Sequence, residues 1–174
     1  MKIVYNLIKE EDVDGIYNIS KDSFSIPWSL NSIKSEVSNP LAKYIVARDI
    51  DLNIVVGFVG IWIVAGEGDI TNIAVHKDYR RLGIGKSLLE YLINLCKNLK
   101  CNTITLEVRE SNIKAQNLYK SFDFIIDGIR KNYYEDNKEN AILMSKKVWL
   151  IPYESLTYFT LLTLQAQVDL LTIC

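Results

Sequence analysis

Apolar and polar positions change period several times along the chain, and each change predicts an element. Residues 2–6 open as a short strand, and residues 10–24 carry Val13, Ile16, Tyr17, Ile19 and Ser20 at mostly helical spacing. Pro27-Trp28-Ser29 breaks that pattern; Ser29 is the candidate N-cap of a second helix reaching about Val37, and Asn39-Pro40 ends it. Residues 44–48 and 54–63 are rich in Val, Ile, Tyr and Trp around the turn residues Asp51-Leu52-Asn53, which predicts a hairpin. Gly66-Glu67-Gly68 is the next expected turn, leading into a third antiparallel strand over residues 69–76.

The clearest helix follows Gly83. Ile84, Leu88, Leu89, Leu92, Ile93, Cys96 and Leu99 fall on one face, against Lys86, Ser87, Glu90, Asn94 and Lys97. Residues 103–109 alternate, with Ile104, Leu106 and Val108 on one side and Thr105, Glu107 and Arg109 on the other. A short helix over residues 113–121 and strands over 124–134 and 141–148, around the polar turn 135–139, complete the order βααβββαβαββ.

Composition narrows this picture. The 174 residues, 49% hydrophobic and 24% charged, suit one domain with a buried core, and no repeat or linker divides it. Twenty basic and twenty-one acidic side chains leave a net charge of -1, which favours neither nucleic acid nor an anionic membrane. Cys96, Cys101 and Cys174 form no C-x-x-C pair or metal spacing, so no metal is expected. With no signal-peptide pattern at the start, a reducing cytoplasm is the expected setting. The expected domain is residues 1–149. Residues 150–174 form an atypical tail, uncharged from 155 to 168 and well short of the roughly 20 apolar residues of a membrane span. So apolar a segment is expected to pack on the domain or to self-associate.

Arg80-Arg81-Leu82-Gly83-Ile84-Gly85 stands between an apolar strand and the clearest helix. Its glycines admit a ligand close to the backbone, and the helix start offers unpaired N–H groups, an arrangement that suits a pyrophosphate. An ordinary glycine turn with two solvated arginines reads the same in isolation. Gly85-Lys86-Ser87 is not a Walker A ending, since that motif needs glycine where Arg80 stands. Gly83-x-Gly85 is not a dinucleotide fingerprint, since Leu88 takes the third glycine's place.

The loop gains specificity from its flanks: Asn72-Ile73-Ala74-Val75 before it, then Leu106-Glu107-Val108-Arg109, Ser111-Asn112 and Ala115-x-x-Leu118-Tyr119. Together these closely resemble the GNAT acetyltransferases. Ile26-Pro27-Trp28-Ser29 and Arg130-Lys131-Asn132-Tyr133-Tyr134 bring the resemblance closer to the RimI-type ribosomal-protein-alanine N-acetyltransferases, over residues 1–149. It implies a GNAT fold of the α/β (α+β) class, with a mixed, mostly antiparallel sheet flanked by helices, and acetyl-CoA as co-substrate. It further implies that Ile73, Ala74 and Val75 offer backbone groups to the pantetheine arm. Arg81, Leu82, Gly83, Ile84, Gly85 and Lys86 would cradle the pyrophosphate, and Asn112 would contact the cofactor.

The same resemblance implies a proton acceptor at Glu107 and a proton donor at Tyr119, and elementary chemistry agrees. Attack on a thioester needs a neutral amine and a base, and Glu107 lies opposite the Ile104/Leu106/Val108 stripe, where it can face a cleft. A departing thiolate needs an acid that stays protonated at neutral pH, which a phenol does. Seen alone, Glu107 reads as a solvated strand residue and Tyr119 as a core-edge tyrosine. His76 lacks an evident orienting carboxylate and is expected at the surface. No cysteine suggests itself as nucleophile, so direct transfer is expected. Asp123 stands where the family usually has glycine; as a left-handed helix cap it would cost about 1 kcal/mol or less.

The expected acceptor is the α-amine of a protein N-terminus, in this family an alanine of a small-subunit ribosomal protein, with Trp28, Tyr133 and Tyr134 lining the peptide groove. The alternatives are a small-amine acetyltransferase acting on a polyamine or aminoglycoside, and a non-catalytic adaptor that binds acetyl-CoA.

Overall fold

The computed structural model describes residues 1–148; the apolar tail and the expected boundary at residue 149 lie outside them. Strands β1 (Ile3–Leu7), β2 (Ala42–Asp49), β3 (Ile54–Val64), β4 (Glu67–Val75), β5 (Thr103–Arg109), β6 (Ile125–Arg130) and β7 (Ala141–Lys147) form one sheet in the order β1-β2-β3-β4-β5-β7-β6. With α1 (Val13–Ser23), α2 (Leu30–Ser38), α3 (Ile84–Asn98) and α4 (Ile113–Lys120), the element order is the expected one. Among the described strands, β4 and β5 are the single parallel pair, joined by the crossover helix α3.

Alternation along β2 sorts the core into two layers. Ile45 and Ala47 join α3's Leu88, Leu89 and Leu92 together with Ile104, Leu106 and Val108, whereas Tyr44 and Val46 join α1's Ile16 and Ile19 and α2's Ile33. Each wholly buried leucine or isoleucine here is worth roughly 1.5–3 kcal/mol of removed apolar surface. Ser29 caps α2 as expected, accepting from the Ser32 amide at 3.0 Å.

Three local expectations change. Leu99 is 45% exposed instead of joining the α3 stripe. The helix stops before it in a Schellman turn, with Cys101 N–H donating to the Cys96 carbonyl, Lys100 N–H to that of Lys97, and Lys100 at φ 59°. The turn before β4 sits at Ala65-Gly66, both at positive φ, so Glu67 and Gly68 belong to the strand. The strand after α4 ends at Arg130, because Asn132 at φ 54° turns the chain out of the ladder.

One irregularity positions the site. Gly60 faces Asn72 and Ile61 faces Ile70, so Thr71 is an extra residue that bends β4. β4 pairs with β5 only from Glu67 to Ile70, while β5 continues along β7 to Arg109. Beyond Ile70 the two parallel strands separate, and among the described residues the β5-facing edge of β4 has no strand partner.

Candidate active site

A cavity of about 390 Å³ opens where β4 and β5 part. Its walls come from Ser23–Ile26 at the end of α1, residues 70–73 of β4, residues 107–109 of β5, Asn112, Ala115 and Tyr119 of α4, and the loop residues 134–136. The split in the sheet thus brings Ile73, Glu107, Asn112, Tyr119 and Tyr134 together.

Glu107 faces this cavity from the side of β5 opposite its buried stripe, as strand alternation requires. Both carboxylate oxygens have partners. Arg130 Nη1 lies 2.7 Å from Oε1, and the Tyr133 hydroxyl donates to Oε2 at 2.5 Å. Tyr133, itself 40% exposed, therefore touches the candidate base directly, and this hydrogen bond leads the causes that raise its own phenol pKa. Arg130, to which the family motif lends no role, is thus a direct partner of Glu107.

Tyr119 is 5% exposed. Burial, followed by the nearby Tyr134 phenol, pushes its pKa far above the usual tyrosine range, so it holds its proton through neutral and alkaline pH. Its place is set by the end of α4. Phe124 N–H donates to the Tyr119 carbonyl at 3.2 Å and Asp123 N–H to that of Lys120 at 3.0 Å, a Schellman turn with Asp123 at φ 63°. The expected left-handed cap at Asp123 is present.

The expected pyrophosphate cradle is the start of α3. Gly83 caps the helix at φ 82° without any side-chain cap, and a Cβ built on it meets nothing within 4 Å. Intrahelical bonding begins with Ser87 N–H to the Gly83 carbonyl at 3.0 Å, leaving the amides of Ile84, Gly85 and Lys86 without intrahelical acceptors. This open, donor-rich helix start fits a phosphate group. Gly85 approaches Val75 of β4 on one side and Leu118 of α4 on the other, so Ile73, Ala74 and Val75 run from the cavity to the cradle. The Val75 carbonyl already accepts from Arg80 Nε at 3.0 Å.

Asn112 lines the cavity and caps α4, its Oδ1 accepting from the Ala115 amide at 3.1 Å. Trp28 does not line the cavity; it packs into the α1/α2 layer with its ring 6.3 Å from that of Trp62, whose indole N–H donates to Glu36. His76 is partly exposed and accepts from the Asp78 amide, with Asp78 Oδ2 at 3.8 Å from its Nδ1. Cys96 and Cys101 are buried, and desolvation pushes the Cys96 thiol up to about 12, so it provides no thiolate nucleophile. Among the described residues no cluster of His, Cys, Asp and Glu could hold a metal ion, and no helix is long and apolar enough to cross a membrane.

A polar knot around Arg109 has no counterpart among the residues that the sequence motifs single out for chemistry. Its guanidinium pairs with Asp136 and Glu139 and lies 3.9 Å from the Tyr134 ring centroid. The run of polar residues after Tyr134, opposite an arginine on the polar face of β5, is the signal that could have suggested it.

The profile of the Acetyltransferase (GNAT) family matches residues 13–124. A protein of Bacillus subtilis (strain 168), named provisionally as a ribosomal protein bS18-alanine N-acetyltransferase, is 44% identical over 77% of this chain and 88% of its own length. The ribosomal protein bS18-alanine N-acetyltransferase of Escherichia coli (strain K12) is 35% identical over 79% of this chain and 93% of its own. The crystal structure of the ribosomal-protein-S18-alanine N-acetyltransferase from Escherichia coli superposes with a TM-score of 0.79 at 30% identity, covering 86% of this chain and 96% of that one. Sequence motifs, the split sheet and these similarities agree, and the chain belongs to the GNAT acetyltransferase family.

Proposed function

We propose that this protein transfers acetyl from acetyl-CoA to the α-amine of an N-terminal alanine, and that its acceptor is a ribosomal protein of the bS18 kind. The observation that carries the reading is the meeting of Glu107, Asn112 and Tyr119 in one cavity at the parting of β4 and β5, in a chain 35% identical to the Escherichia coli enzyme. A ribosomal acceptor places the reaction in the cytoplasm.

Acetyl-CoA supplies the activated acetyl group. The start of α3 holds its phosphates, and the unpartnered edge of β4 offers backbone groups to its extended arm. Glu107 accepts the proton that the amine loses as the new bond forms, directly or through one water. Tyr119 donates toward the departing sulfur. Tyr133 and Tyr134 bound the side from which the peptide enters. An α-amine titrates near 7.7–8.0, so roughly a tenth or more is neutral at pH 7, against under about 0.1% of a lysine side chain. An α-amine is therefore the acceptor whose proton a carboxylate most readily takes.

The test is acetyl transfer to a panel of Ala-initiated peptides, internal-lysine peptides, polyamines and aminoglycosides, with the modified atom located by fragmentation mass spectrometry. Acetylation of the first alanine, even with lysines present, is the expected result. Modification of lysines or free polyamines in preference would replace the acceptor, and binding of acetyl-CoA without transfer to any amine would favour the adaptor reading.

A further inference from the structure

Arg109 ends β5, two residues beyond Glu107 and on the same face. Its Nη2 lies 2.9 and 2.8 Å from the two carboxylate oxygens of Asp136 and donates to Ser25 Oγ at 3.1 Å. Its Nη1 donates to Glu139 Oε2 and Asn137 Oδ1, each at 3.1 Å. Ser25 Oγ donates in turn to Asp136 Oδ2 at 2.6 Å, and the free oxygen of Glu139 accepts from the Ser111 amide at 2.7 Å.

One guanidinium therefore ties together three separate segments: the connection after α1, the loop after β6 and the turn before α4. The first two form walls of the cavity, and the third leads into the helix that carries Tyr119. The ends of the loop are held by Asn132 N–H donating to Asn140 Oδ1 and by the Tyr133–Glu107 hydrogen bond, and its backbone closes through Lys138 N–H to the Tyr134 carbonyl and Tyr134 N–H to that of Glu139. The Arg109 contacts hold its middle, at residues 136–139. An isolated surface ion pair is worth about 0–1 kcal/mol. This one is a network, with Nη2 shared between the two oxygens of Asp136 and Nη1 on Glu139, its arginine side chain only 26% exposed and its guanidinium over the Tyr134 ring.

We propose that Arg109 is the positioning residue for the acceptor: it holds the Tyr134 loop and the Ser25 segment at the separation that admits a peptide N-terminus beside Glu107. The inference rests on the acceptor reading above and extends it to a residue that touches neither reacting group. Lysine does not substitute, because a single ammonium lacks both the planar fork and the stacking face.

The experiment compares the parent with Arg109→Met and Arg109→Lys, using an Ala-initiated peptide and acetyl-CoA. Arg109→Met is expected to raise the acceptor KM at least about tenfold while the acetyl-CoA KM stays within about twofold, since the cradle lies on β4 and α3. Arg109→Lys is expected to recover little of that loss. Hydrogen exchange supplies a readout independent of activity: the Tyr134 and Ser111 amides should exchange at least about tenfold faster in both variants, with β5 amides unchanged. An acceptor KM within twofold of the parent, an equal rise in both KM values, or full recovery by Arg109→Lys would each overturn the proposal. If Arg109→Met does not fold, Arg109→Lys bears the same comparison. A parent that leaves the α-amine untouched would remove the acceptor reading alone, and the exchange rates would still decide whether Arg109 holds the loop.

Discussion

The rings of Tyr119 and Phe124 lie 5.7 Å apart across the Schellman turn that ends α4. They occupy the two positions of that motif whose side chains ordinarily touch, so the cap that stops the helix also fixes the ring of the candidate acid. Asp123 between them adopts the left-handed conformation that glycine takes at less cost. Its ion pair with Lys146, at 3.4 Å, involves a carboxylate side chain 91% exposed and adds little. Asp123→Gly is expected to stabilise the fold by about 0.5–1 kcal/mol with turnover unchanged, read as a higher urea midpoint at constant slope.

Tyr119→Phe keeps the ring in its layer and removes the proton. Turnover should fall on the order of 10²-fold or more with acetyl-CoA binding nearly intact. Because burial raises the phenol well above its usual range, loss of its proton should impose no descending limb on the parent's pH profile below about pH 10. A near-parental single-turnover rate for the variant would assign the acid elsewhere.

Replacing Glu107 by Gln preserves shape while ending its role as acceptor of the amine proton and its charge pairing with Arg130. With chemistry rate-limiting, the variant should be slow at neutral pH and should lose less at alkaline pH, where more of the amine is already neutral. Equal rates for variant and parent at pH 7 would remove Glu107 as the base.

At Gly83 the obstacle to a side chain is conformational and not steric, since a Cβ there has open space but φ is 82°. Gly83→Val should cost about 1–2 kcal/mol of local strain and turn the first amides of α3 away from their present direction. Acetyl-CoA affinity measured by calorimetry should drop at least about tenfold while the thermal transition persists. Unchanged affinity in the folded variant would show that the phosphates bind elsewhere.

The Arg109 knot also has a pH signature. Hydrogen bonds from Ser111, with Arg109 and Asn137 adding to them, lower Glu139 from the usual 4.5 to about 2, and Ser25 followed by Arg109 lowers Asp136. A depressed folded-state pKa gives stabilisation that is complete above the unfolded value and is lost as pH falls through the folded one. The Tyr134 loop should therefore keep its position down to about pH 4.5 and detach progressively toward pH 2. The ring proton shifts of Tyr134 would report this; a transition centred above pH 5 would contradict it.

Much of the scaffold was legible because its signals are local. α3 shows in the spacing of Leu88, Leu89, Leu92 and Cys96, β5 in its alternation, and α2 in Ser29; the motif around Glu107, Asn112 and Tyr119 pointed to residues that do share one cavity. What escaped depends on distant partners. Arg109 meets residues 27 to 30 positions ahead and Ser25, 84 positions behind, and no periodicity records such a meeting. The neighbour of Trp28 is likewise distant in sequence: Trp62 on β3 meets it in the α1/α2 layer. The extra residue at Thr71 left no trace either, since residues 69–76 read as one uninterrupted strand.

That extra residue gives the sheet a third border. The outer borders, β1 and β6, could in principle accept a strand from another molecule, a hazard that proteins commonly manage with charge or cover. The inner border along residues 71–75 is different, because it lies within the protein, overlooked by β5 and by the helices α3 and α4. A foreign sheet pairing with it would have to pass β5 and these two helices, whereas a single extended, amide-bearing chain has only to lie along it. The fold thereby exposes a ladder of hydrogen-bonding groups to small extended ligands and withholds it from aggregation.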